Sequence, residues 1–236
     1  MTTNAAALVR HPARTSSILA FAAGALAVAL VADTALQRRI LAIAVVGILT
    51  FAAGGLAWRR GRSVIGVVVG VVVGLGGTLL VVYALGLAVS RPEFFTHRIE
   101  LVPGVLGLWV LTAAVLPIRL GWERSLIDAG TGLLFLTVLT SGVVQGATFG
   151  ALLGAGVLTI LAWDAAENAV SIGGQLGIHA STIRGEFVHG AASGAVAIGA
   201  IALVYLVREL GIDELPFTAL VALLVAGVAI ALAYQR

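Results

Sequence analysis

The sequence predicts an all-α protein: a polytopic transmembrane helix bundle of about eight spans, with seven as the alternative, and an amphipathic cytoplasmic helical segment between spans six and seven. Two observations predict it. The chain of 236 residues is 60% hydrophobic and 11% charged, with a mean hydropathy of +1.11, whereas a soluble domain carries about 25% charged residues. Apolar runs of the length that crosses a bilayer, about 20 residues, also recur along the chain, and nearly all the charge falls between them. Lipid as solvent removes the need to hide apolar surface. The whole chain, 1–236, reads as a single integral membrane domain.

The predicted spans run about 17–35, 40–58, 63–90, 101–118, 126–142, 146–163, 191–208 and 217–234. Arg10 and Arg14 ahead of the first run resemble a signal peptide, but VADTA at its end is a poor cleavage site, so the first span reads as a retained helix. The fifth and sixth spans divide at SGVVQGAT (141–148), where Ser, Gly and Gln suit a tight turn. Treating 126–163 as one tilted span plus a re-entrant piece gives the seven-span alternative. With the N-terminus inside, nine of the 14 Arg residues fall in inner segments: Arg10, Arg14, Arg59, Arg60, Arg62, Arg119, Arg124, Arg184 and Arg236. Five fall outside: Arg38, Arg39, Arg91, Arg98 and Arg208. The positive-inside bias therefore favours a multi-pass cell-membrane protein with both termini cytoplasmic, and it places 164–190 in the cytoplasm.

Two absences exclude chemistry. Without Lys there is no Walker A phosphate loop and no Schiff base; without Cys there is no thiol nucleophile, disulfide or thiolate metal site. The scattered Arg residues form no nucleic-acid stripe. No HExxH or GxSxG motif occurs, and nothing in the pattern gives Ser193 a base. Glu186 and His189 have the E-x-x-H spacing of half a di-iron site, but no second copy exists. They read instead as a local Glu–His pair on a solvated helix face. No catalytic residue, metal ligand or cofactor site is assigned. No Asp, Glu, Arg or His falls near the middle of a predicted span, which argues against a proton-coupled carrier.

Glycines four apart share a helix face and let backbones approach. The runs Gly66, Gly70, Gly74 and Gly146, Gly150, Gly154, with the pair Gly190 and Gly194, read as packing seams toward another helix of the chain or a second copy in a homo-oligomer.

The segment 164–190 carries the longest polar pattern. Asp164, Asn168, Ser171, Gln175, His179, Thr182, Glu186 and His189 recur at steps of three or four, with an apolar stripe displaced around the cylinder. Gly173, Gly174 and Gly177 weaken a continuous helix. Either Asp164 and Glu167 cap a new helix, or the sixth helix continues past Trp163 at the lipid interface. Its acidic balance is wrong for an anionic-lipid anchor. The candidate interaction surface is Trp163, Asp164, Glu167, Asn168, Gln175, Arg184, Glu186 and His189.

The string LAWDAAENAVSIGGQLG, followed by RGEFVHGAAS, resembles the signature of an uncharacterised family of haloarchaeal integral membrane proteins, with elements LAWDxxENA, GxQLG and RxExVH. The resemblance covers roughly a quarter of the chain. It implies an archaeal, halophilic cell membrane and, by association, a MoxR-type AAA ATPase or von Willebrand factor A-like-domain system as partner. The resulting expectation is a non-catalytic scaffold or assembly component that meets a cytoplasmic partner through 164–190. The alternative is a small-solute transporter or channel without intramembrane charge coupling.

Overall fold

A computed structural model describes residues 12–61, 63–90, 95–116, 121–176 and 183–210. The chain divides into two compact units, Met1–Ala197 and Ile198–Arg236. Among the described residues there are seven α-helices: α1 (Arg14–Val31), α2 (Ala35–Arg60), α3 (Val64–Ser90), α4 (Phe95–Val115), α5 (Glu123–Thr140), α6 (Phe149–Leu176) and α7 (Ile183–Glu209). A single π-helical turn, Ser141–Gln145, extends α5. Six stretches are long and apolar enough to cross a membrane, and the apolar part of α4, Glu100–Val115, is shorter. The predicted eighth span at 217–234 lies outside the described residues.

Local chemistry sets the helix ends. Thr34 begins α2 with a full capping box: its hydroxyl accepts from Gln37 N at 3.1 Å, and the Gln37 amide oxygen accepts from Thr34 N at 2.9 Å. Arg59 and Arg60 occupy the last turn of α2, where cations suit the helix dipole. Gly146 follows the π-turn at φ +64°, a left-handed conformation that glycine adopts without a Cβ penalty. That turn divides 126–163 into two helices, α5 and α6.

In the first unit, the helices pair chiefly as α2 with α3, α4 with α5, and α1 with α6. Ala20, Val28, Ile40, Ala44, Ile48, Leu101, Leu108, Leu111, Ile127, Leu134, Ala162 and Ala166 form one shared core. The outward face is apolar too: Val72, Leu79, Tyr83 and Leu139 are exposed. A bundle apolar inside and outside matches a lipid environment.

Gly70 and Gly74 of the first glycine run lie in the α2–α3 seam, where the close contacts come from Gly47 and Gly54 against Gly70, Gly74 and Gly77. A Cβ on Gly54 would lie 2.2 Å from Gly74 N, and one on Gly77 would lie 2.2 Å from Phe51 N. Gly70 would meet Trp58 N at 2.3 Å, while Gly66 faces the α2–α3 connection at Gly61. Gly107 and Gly130 make the corresponding approach between α4 and α5. Gly146 is a turn residue and not part of a helical seam, Gly150 is exposed, and a Cβ on Gly194 would meet open space. Gly154 and Gly190 do face α1, at Leu30 and Leu19 respectively.

Residues 164–173 are not an independent surface element. α6 runs unbroken from Phe149 through Asp164, Gly173 and Gly174 to Leu176, so no helix starts at Asp164 and no capping box forms there. Ala165, Ala166 and Ala169 are buried, and Ala13 N donates to Ala169 O at 2.9 Å. Burial against α1 and α5 is the physical reason α6 tolerates its glycines. α7 begins at Ile183, eight residues before the predicted seventh span at 191.

Candidate functional site: two polar clusters at opposite ends of the bundle

At the end of the bundle where α1, α5 and α7 begin, the polar residues of 163–193 turn toward other helices. Trp163 Nε1 donates to Asp128 Oδ1 on α5 at 3.3 Å. Asp164 Oδ2 accepts from Ser193 Oγ on α7 at 2.6 Å and contacts His189 Nε2 at 3.0 Å. Glu167 Oε2 lies 3.6 Å from Arg124 Nε on α5. Asn168 Nδ2 donates to Ser16 Oγ on α1 at 3.1 Å. Glu186, 4% exposed, accepts from Ser16 N at 2.9 Å and from Ser16 Oγ at 3.3 Å. Trp163, Asp164, Glu167 and Asn168 thus reach three different helices, because adjacent residues project about 100° apart around the cylinder and two adjacent pairs together cover a wide arc.

This geometry corrects several expectations. Glu186 and His189 do not pair with each other: one reaches α1 and the other α6. Ser193, to which the sequence pattern gave no base, donates to a carboxylate on α6. Asp164 lies mid-helix in a span-length element, and Glu167 lies in the same element, so ionisable groups do occur within apolar helices. Arg184 is exposed, and Trp163 is 44% exposed. The Gln175 side chain and His179 lie outside the described residues.

Chemically, the arrangement holds helices together. Ser193 and His189 converge on one carboxylate oxygen, so the imidazole contacts the acid and not the hydroxyl; an activated serine needs its base on the hydroxyl. No group of three or more His, Cys, Asp or Glu side chains that could hold a metal ion occurs among the described residues. An apolar cleft of about 430 Å³ between α1, α2 and α4 is lined by Ile18, Phe21, Leu49 and Leu56, with Arg14 and Arg59. It has few convergent polar groups.

The second cluster sits at the opposite end, where α2 and α4 begin and α5 finishes. Glu100 is 2% exposed and Gln37 is 1% exposed. The Gln37 amide oxygen is occupied by Asp33 N, Thr34 N and Thr34 Oγ1, which fixes the amide orientation and aims its NH₂ at Glu100 Oε2, 3.0 Å away. Gln145 Nε2, from the π-turn, donates to the same oxygen. Thr137 Oγ1 donates to the Glu100 carbonyl at 3.1 Å. Glu100 Oε1 and Ser141 Oγ are both buried without a hydrogen-bond partner.

Sequence reasoning missed this cluster because its members fall in what read as three unrelated connections, 33–39, 91–100 and 141–148. A usable signal was present: Glu100 and Gln145 both adjoin apolar runs, where polar groups are costly unless partnered.

A family model, described as a family of unknown function (DUF7519), matches residues 74–231, more than half of the chain. The chain belongs to DUF7519. The DUF7519 match contains Glu100, Ser141, Gln145 and all the belt residues of α5, α6 and α7, whereas Ser16, Asp33 and Gln37 precede it. Each cluster of this DUF7519 chain therefore draws a partner from the helices ahead of the match. No curated protein and no solved structure matches the chain.

Proposed function

We propose that this chain is a non-catalytic, multi-pass protein of the cell membrane that serves as a scaffold or assembly component. The observation that carries this reading is how the belt is arranged. Asp164, Asn168, Glu186, His189 and Ser193 are engaged with neighbouring helices, while Arg184, Phe187 and Val188 at the start of α7, and Trp163 on α6, are exposed. Inward polar bonds fix the helix ends, and a cation beside large apolar groups is left facing outward for an acidic, apolar partner surface. Within the first unit, Arg14, Arg59, Arg60, Arg124 and Arg184 cluster at this end and Arg38 and Arg39 at the other, which supports a cytoplasmic side for the belt. An archaeal, salt-rich host and an AAA ATPase or von Willebrand factor A-like partner are the finer form of the proposal and rest on the signature alone.

Co-purification from native membranes tests it. Because 164–176 is integral to α6, the informative variants are Trp163→Ala, Arg184→Glu and Phe187→Ser, not a deletion. Loss of one defined partner supports the reading, whereas identical recoveries from wild type and all three variants overturn it. A reporter at Arg14 that is inaccessible from outside intact cells is the expected topology.

A second reading, a transporter or channel for small solutes, is favoured by the buried Glu100 cluster within an otherwise apolar bundle. Flux in proteoliposomes equal to that of empty vesicles, across ions and small solutes, overturns that reading.

A further inference from the structure

We propose that the cleft between α1, α2 and α4 binds one anionic phospholipid, with its phosphate on Arg14, Arg59 and Arg60 and a tail in the apolar interior. The cleft follows from how the helices pair. α1 packs chiefly on α6 and α2 on α3, so near Arg14 the two leave a gap of about 430 Å³ between them. Ser17 and Ala52 stand in its walls, where larger side chains would fill it. Thr112, Val115 and Leu116, all buried, close its back. Ile18, Leu49 and Leu56 are exposed at its rim, so in a bilayer it opens sideways to lipid.

The chemistry of the lining selects the occupant. Both lining hydroxyls are spent on their own helices: Ser17 Oγ donates to Ala13 O and Thr112 Oγ1 to Leu108 O, each at 2.7 Å. Neither has a hydrogen left for a polar solute, and water finds too few partners there to be held. An apolar tail gains the dispersion contacts that an unfilled cleft lacks.

The charge lies at one end. Arg14 opens α1, Arg59 and Arg60 close α2, and no acidic side chain among the described residues lines the cleft. Glu186, which reaches the first turn of α1, is bonded to Ser16. Guanidinium groups suit a phosphate, which they grip through paired N–H donors in a planar fork. The dimensions match as well. From Leu49 to Arg59, α2 rises about 15 Å, the depth of one leaflet of a hydrocarbon core about 30 Å thick. A lipid whose phosphate sits at the arginines therefore lays its tail along the cleft.

This site rests on the membrane reading of the chain and not on the scaffold reading. None of Trp163, Arg184 and Phe187 lines it, so its failure leaves partner recovery untouched. The experiment is native mass spectrometry of the purified full-length protein titrated with dioleoylphosphatidylglycerol. Dioleoylphosphatidylcholine supplies the same tails without net charge. One phosphatidylglycerol should bind about fivefold more tightly than phosphatidylcholine, or better. Arg14→Gln combined with Arg60→Gln, both at exposed positions, should weaken it about tenfold or more. Arg39→Gln, at the opposite end of the bundle, should leave it unchanged. Ala52→Leu and Ser17→Leu fill the cleft from opposite walls without touching charge, and each should abolish the tight lipid. Either one that keeps the wild-type unfolding midpoint serves. Equal binding of the two lipids, or no loss in the double Arg variant, overturns the proposal. Loss in the Arg variant with full binding in a folded cleft-filling variant means surface adsorption and also overturns it. So does inorganic phosphate bound as tightly as the lipid.

Discussion

The carboxylate of Glu186 accepts from the backbone N–H of Ser16, 170 residues earlier in the chain, at 2.9 Å. Ser16 lies in the first turn of α1, whose N-cap, Ala13, supplies no side-chain cap. The first N–H groups of a helix lack partners within it and carry partial positive charge. The start of α7 therefore provides α1 with the cap its own sequence lacks. Glu186→Ala should destabilise the protein by about 2 kcal/mol, and Glu186→Gln by about 1 kcal/mol, since the amide oxygen retains an acceptor without the charge. Reversible unfolding in mixed detergent micelles measures both. No cost for Glu186→Gln would deny the dipole contribution, and equal costs for the two variants would deny the neutral hydrogen bond.

The α2–α3 seam gives a paired prediction. Gly77→Ala forces a Cβ to 2.2 Å from Phe51 N, which the backbone cannot accommodate without separating the helices. A Cβ on its neighbour Gly76 would have nothing within 4 Å. Gly77→Ala should therefore cost about 2–3 kcal/mol as an overpacked contact. Gly76→Ala should be neutral or stabilise by up to about 1 kcal/mol through helix propensity. The same unfolding assay checks the contrast, and similar behaviour of the two variants would rule out the seam.

Asp164 holds both Ser193 and His189, so its contributions are coupled. A double-mutant cycle of Asp164→Asn with Ser193→Ala should give a coupling energy of about 0.6–1.7 kcal/mol, the range for polar contacts between helices in membranes. Strict additivity would mean that the 2.6 Å contact contributes nothing to stability. Glu167→Gln, by contrast, loosens a contact with the mostly exposed Arg124 and should cost less than about 1 kcal/mol.

The turn after the π-helix rests on Gly146. Gly146→Ala places a Cβ in the left-handed region and should cost about 1–2 kcal/mol, although open space surrounds it. The same unfolding assay measures it, and a cost no larger than that of Gly76→Ala would show that the turn does not depend on its terminating glycine.

Several features were legible in the sequence alone. Apolar runs of about the length that crosses a bilayer, separated by Arg-bearing breaks, determine an all-helical bundle, since a chain that is mostly apolar must satisfy its backbone within each segment. SGVVQGAT marked the α5–α6 division because Ser, Gly and Gln interrupt an apolar pattern. The polar periodicity from Asp164 to His189 marked residues whose burial has to be compensated.

What those residues bond to was decided by the tertiary structure. Asp164, Asn168 and Glu186 read as a surface stripe because periodicity reports which side chains share a face, not what packs against that face. The same limit hid Glu100: its partners Gln37 and Gln145 lie 63 and 45 residues away and meet only because α2, α4 and α5 end together. It also left open what the glycine faces meet, since spacing identifies a face whereas contact requires a second helix in register, as Gly47 and Gly54 are with Gly77, Gly74 and Gly70. Sequence periodicity fixes the helices and their faces through local backbone geometry, whereas partner choice is a long-range packing outcome that no local window contains.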